Sequence, residues 1–175
     1  MKSHIENEKI SIETISEELK SLAEELDHKH RQQRKTQFLL DVRGYFVANQ
    51  ISGAYVEFGL YRGEMMLSSF HILEKTGCFL QYVGLDTFSG EPVYSDEEQS
   101  VNPYLKFGDF KSDFQTTYQF LSSHIGNKLN LIKGDFREDE ILQKVKEIGP
   151  ISMGIIDCNV SSSIEAALDS ILPLI

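Results

Sequence analysis

The stretch VEFGLYRGE, residues 56–64, decides the fold. It begins inside a short apolar run, residues 54–60, that suits a buried strand, and it passes through Gly59 and Gly63 into a helix over residues 62–75. A glycine directly after a strand lets the backbone turn tightly and approach a ligand, and a second one lets the following helix start close beneath it. The pattern is not G-x-G-x-x-G, because Tyr61 stands two places after Gly59, so the turn is a poor cradle for a pyrophosphate. Glu57 at the strand end repels phosphate and suits a ligand carrying a positive centre and an ammonium group.

Outward from this stretch the chain alternates. Strands are expected over residues 79–85, 129–133 and 151–158, and helices over 113–125, 138–148 and 162–172, with a long polar segment at 87–112. Strand following helix following strand means crossover connections and a parallel sheet, so the fold class is α/β, Rossmann-like. Residues 1–50 read as a helical extension and 51–175 as the main domain. Ile12, Ile15, Leu19, Leu22, Ala23 and Leu26 recur at helical spacing as one apolar stripe, with Thr14 and Glu17 at capping-box spacing. The basic patch 28–35 would suit an anionic ligand or an acidic surface, but serves more simply as a solvated helix face. A second helical run, with Phe38, Leu39, Val42, Phe46 and Val47 on its apolar side, is expected from about residue 37 to residue 49. The amphipathic first run is also the natural place for a homodimer contact.

Composition narrows the function. The chain has 175 residues and a net charge of −10, the wrong sign for neutralising phosphates, so neither nucleic acid nor an anionic membrane is the expected partner. No apolar run approaches a membrane span, and the N-terminus carries no signal-peptide core. Cys78 and Cys158 read as two buried free thiols, and the expected location is the cytoplasm.

Ligands of open parallel sheets bind at the carboxyl ends of the strands. At the second end, Asp86 lies 23 residues beyond Gly63, where a doubly wound fold places an acid to accept ribose hydroxyls; its plainer role is to cap a helix. At the third, Asp135 suits an adenine amino group and Phe136 its ring, unless Asp135 only caps the helix near Glu138. At the fourth, Asp157 faces the mouth, as a base or as an oxygen ligand to a hard divalent cation. The segment 91–112, with Tyr94, Asp96, Glu97, Glu98 and Tyr104, reads as part of a lid or as a plain surface loop.

Taken together, VEFGLYRGEM (56–65), DTFSGEP (86–92), KGDF (133–136) and IDCNVSSSIEAALDSILPL (156–174) resemble the class I S-adenosylmethionine (SAM) dependent methyltransferases, and most closely the macrocin O-methyltransferase (TylF/MycF-like) family. The resemblance implies that Glu57, Gly59, Tyr61 and Gly63 line the methionine end of SAM. It implies that Asp86 holds the ribose, with Thr87, Phe88 and Ser89 near the adenosine, and that Asp135 and Phe136 meet the adenine. Asp157 would face the methyl group and a small-molecule acceptor such as a sugar hydroxyl, and would help bind a divalent cation, commonly magnesium. Two positions depart from the family pattern: its second acid is Asn159 here and its tyrosine is Ser161. The family also continues with further strands and acids, so the expectation is a SAM-binding domain without its C-terminal strands. Two rival readings are a non-catalytic SAM-binding or assembly module and, less well matched, a nicotinamide dehydrogenase.

Overall fold

The computed structural model describes residues 12–175, which fall into two units divided between Phe38 and Leu39. Helix α1, Ile12–Asn49, is one continuous helix and not the two expected runs, and Thr14 lies within it and not at its cap. The basic patch does not interrupt it, because Lys29 pairs with Glu25 (2.6 Å) and Arg31 with Asp27, acid four residues before base, the favourable order on a helix. Leu19, Leu22 and Leu26 are exposed, at 61%, 50% and 57%. The side chains of Ile12 and Ile15 lie outside the described residues.

From Leu39 onward the second unit begins. Leu39 and Phe46 are buried in its core and Val42 packs against them, whereas Phe38 and Val47 are exposed. The strands are β1 (Gly53–Phe58), β2 (Phe79–Asp86), β3 (Leu129–Lys133) and β4 (Ile151–Ile156). The helices are α2 (Glu64–Leu73), α3 (Asp96–Val101), α4 (Phe114–Ile125), α5 (Asp139–Lys146) and α6 (Ser161–Ile171). All strand pairs are parallel, in the order β3-β2-β1-β4. That is the central order of a Rossmann-like sheet, with the direction of winding reversing between β1 and β4.

Alternation along β1 sends Tyr55 to one face and Val56 and Phe58 to the other, and every residue of the strand is buried. One face is covered by the end of α1 with α2 and α4, through Leu39, Phe46, Met66, Leu73, Leu121 and Ile125. The other is covered by α5 and α6, through Ile141, Val145, Ala167 and Ile171. Aromatic rings fill the first face: Phe46 meets Phe79 edge-on at 5.0 Å and Tyr55 lies 5.4 Å from Tyr82. The register aligns Phe58 with Leu85 and Ile156, and Asp86 with Lys133, so the four carboxyl ends open on one side of the sheet. Among the described residues no helix is long and apolar enough to cross a membrane.

Candidate functional site at the strand ends

The turn after β1 visits the left-handed region three times, at Gly59 (φ 82°), Tyr61 (φ 52°) and Gly63 (φ 78°). Gly59 also runs close to the end of β4, where a β-carbon would stand 2.4 Å from the carbonyl oxygen of Asp157. Its N–H donates to Leu85 O (2.9 Å), and the Asp157 N–H donates to Phe58 O (2.9 Å), so the ends of β1, β2 and β4 are stitched together. At Gly63 a β-carbon would meet Leu121 Cδ1 at 2.6 Å, which is why α2 can start so near α4. Ser112 Oγ donates to Tyr61 O at 2.8 Å, holding the turn from outside. Beside it a cavity of about 610 Å³ is lined by Arg62, Glu64, Lys111, Asp113, Thr116 and Phe120 among others, and it does not include the strand-end acids.

Asp86 is the hinge of this arrangement. One carboxylate oxygen accepts the Tyr61 N–H (2.7 Å) and the other the Phe88 N–H (2.6 Å). Burial raises its pKa, the backbone donors pull it back, and the Glu91 charge adds to the rise, leaving a net upward shift. The carboxylate thus already steadies the strained Tyr61 backbone, and its remaining lone pairs are what a ribose could use. Thr87 Oγ1 accepts from Ser89 N–H (3.1 Å) and donates to Gly90 O (3.1 Å), shaping the loop, and Ser89 is exposed.

Several of the expected ligand residues are buried. Phe88, with φ 58°, turns its ring inward against Phe114 (5.1 Å) and is 3% exposed, so it is a core residue and not a surface for adenosine. Phe136 likewise packs edge-on against Phe58 (5.3 Å) inside the α5/α6 face. Glu57 is 1% exposed and accepts from Tyr55 Oη at 2.5 Å, so it offers the mouth no surface. Burial, then the Glu57 charge, holds the Tyr55 hydroxyl well above its ordinary pKa. Asp135 is bound in its own loop: Arg137 reaches it through Nη2 (2.6 Å), Nε (3.0 Å) and the backbone N–H (2.9 Å). Burial raises the Asp135 pKa, but the Arg137 bonds outweigh it and the net shift is downward.

Asp157 follows β4 and is exposed at the mouth. Beside it the Cys158 thiol is pushed up to about 12, by burial first and then by the charges of Asp157, Asp86 and Glu91. Three carboxylates, two from the end of β2 and the segment after it and one from the β4–α6 connection, therefore act on one thiol. Glu91, which sequence reasoning used only as the boundary of the polar segment, also lies at these strand ends. It is 9% exposed and accepts from Asn159 Nδ2 (2.5 Å). The Ser95-x-x-Glu98 capping box was the available signal for helix α3 within that segment. Nothing among the described residues supports the expected magnesium: no three His, Cys, Asp or Glu side chains converge on a metal position there, and the Asn159 amide is turned toward Glu91.

No protein-family model matches the chain, and no curated protein matches it. Solved structures that share its fold include two methyltransferases. The calicheamicin methyltransferase CalS11 superposes with a TM-score of 0.63 at 20% identity, over 84% of this chain and 61% of that one. The O-methyltransferase NovP superposes with a TM-score of 0.65 at 14% identity, over 79% of this chain and 59% of that one. At these identities the likeness is one of fold, and the chain spans about six-tenths of either protein.

Proposed function

We propose that the chain is the SAM-binding part of a methyltransferase that transfers a methyl group to an oxygen of a small molecule. The observation that carries the reading is the close approach of the Gly59–Gly63 turn, Asp86 and Asp157 at the carboxyl ends of β1, β2 and β4. That mouth suits a ligand with a sulfonium and an ammonium and rejects a pyrophosphate. Both solved structures of like fold are described as methyltransferases, one of them as an O-methyltransferase, which supports the same reading. When bound, SAM supplies a methyl group on a sulfonium whose neutral thioether is the leaving group.

In this reading Asp86 accepts hydroxyl hydrogens of the ribose on the lone pairs that Tyr61 and Phe88 leave open. The glycine turn brings backbone close to the methionine end. Asp157 takes the proton of the acceptor hydroxyl as the new oxygen–carbon bond forms. The protein's main contribution is alignment and exclusion of water. Membership of the macrocin O-methyltransferase branch, and a sugar hydroxyl as acceptor, rest on the sequence resemblance alone.

Calorimetry with SAM and S-adenosylhomocysteine, followed by transfer from methyl-labelled SAM to a panel of hydroxylated acceptors, tests the reading. Binding of both is the expected result. Absence of binding would overturn it, and binding without any transfer would leave a non-catalytic cofactor module.

A further inference from the structure

We propose that residues 91–110 form a lid latched to the loop between β4 and α6, and that Asn159 is the positioning residue of the latch. The proposal rests on the methyltransferase reading for what the lid covers, and on the contacts alone for how it is held.

Three attachments reach the β4–α6 connection. Asn159 Nδ2 donates to Glu91 Oε1 (2.5 Å), at the base of the lid. Asn102 Nδ2 donates to the Asn159 carbonyl (3.2 Å), just after α3. Glu98 Oε1 accepts from both the N–H (3.1 Å) and the Oγ (2.8 Å) of Ser162, in the first turn of α6. The other oxygen of Glu98 accepts the Ser95 N–H (3.1 Å), so one carboxylate caps α3 and α6 together. These donors lower the Glu98 pKa, which keeps it charged for that work.

The lid also closes on itself. Glu91 N–H donates to Asp109 O (2.7 Å) and Gly108 N–H to Glu91 O (3.0 Å), so its two ends are paired at the base. Gly90 (φ 88°) makes the crossing possible, since a β-carbon there would stand 2.5 Å from the carbonyl oxygens of Gly108 and Asp109. The base pairing and the latch therefore meet at Glu91.

The chemistry explains the residue type at 159. Glu91 is buried, and a neutral amide is the donor it meets there. A carboxylate in place of Asn159 would have no hydrogen to give and would set two like charges at hydrogen-bonding distance. The resemblance leads one to expect an acid at this position, and the amide is what lets the lid lie down.

Hydrogen–deuterium exchange on the full chain tests this without any ligand. Asn159→Asp should speed exchange in peptides within 91–110 by about tenfold or more, with β2 and α5 unchanged, because a donor is replaced by a like charge. Adding Glu91→Gln should return the rate to within about twofold of the parent, because donor and acceptor are then exchanged across the same contact. Unchanged exchange in Asn159→Asp, or an opened lid that Glu91→Gln does not close, would overturn the latch. S-adenosylhomocysteine binding to the parent protein is read separately: if it fails while the exchange pattern holds, the latch stands and the cofactor reading falls.

Discussion

At the scale of single residues, Gly59 carries two constraints and Gly77 only one. Both have positive φ, 82° and 70°, but a β-carbon at Gly77 meets nothing within 4 Å, whereas at Gly59 it meets Asp157 O at 2.4 Å. Gly77→Ala should therefore cost about 1 kcal/mol, the penalty of the left-handed region. Gly59→Ala should cost upward of about 3 kcal/mol, because backbone must move as well. Urea titrations of the two variants check the contrast, and equal costs would contradict it. The Asp135–Arg137 pair makes a pH argument of the opposite kind to that of Asp86. The folded-state pKa of Asp135 is depressed, so its contribution is present above the ordinary value of 3.8 and is lost as pH falls through the lowered one. With both side chains part exposed, Arg137→Gln should cost about 1 kcal/mol at neutral pH. That cost should fade once Asp135 is protonated, as urea titrations at two pH values would register. Asp86 is raised, so for it stability falls as pH rises from 3.8 through its folded value. Asp86→Ala removes acceptors from Tyr61 and Phe88, and should lower fold stability and SAM affinity by about 1–3 kcal/mol each.

At the scale of elements, helix α1 shows two kinds of apolar face within one sequence pattern. Leu39 is fully buried and Leu22 is half exposed. Leu39→Ala should lose about 2–5 kcal/mol to a cavity, and Leu22→Ala less than about 0.5 kcal/mol. Thermal melts at two protein concentrations would separate them; a large, concentration-dependent loss at Leu22 would mean that the row is covered by a partner. The same helix shows where sequence reading stopped. Periodicity marked both of its ends but not its continuity, because residues 28–35 carry no apolar stripe and are held in the helix by propensity and by i,i+4 ion pairs. The alternating strands and helices were legible to within a few residues, since strands buried on both faces read as apolar runs. Helix α3 was not, being six residues long and signalled only by its capping box. Nor could the pattern say which way loop aromatics turn: Phe88 and Phe136 stand beside the expected ligand residues in sequence, yet both rings belong to the core. The position of Asp86 and Asp157 at strand ends was legible because topology fixes it.

At the scale of the whole molecule, the net charge is −10, and three of the acids gather at the carboxyl ends of the strands. Asp86 and Glu91, at and just after the end of β2, and Asp157, just after β4, are each felt by the same Cys158 thiol. A cationic ligand entering that mouth gains Coulomb attraction that a neutral ligand of the same shape does not. SAM and S-adenosylhomocysteine are such a pair, differing at sulfur by a methyl group and a charge. The attraction is screened by salt, with a Debye length of about 10 Å at 0.1 M ionic strength and about 3 Å at 1 M. Raising salt across that range should therefore weaken SAM binding more than binding of the thioether, so the ratio of their affinities falls. NAD, whose pyrophosphate would meet the same carboxylates and a turn without the dinucleotide glycines, should show no binding at either ionic strength. Calorimetric titrations of the three ligands at low and high salt measure all of this in one series. A ratio indifferent to salt would mean that the sulfonium does not sit within the field of these carboxylates, and the assignment of the mouth would have to move to the cavity beside Arg62 and Lys111.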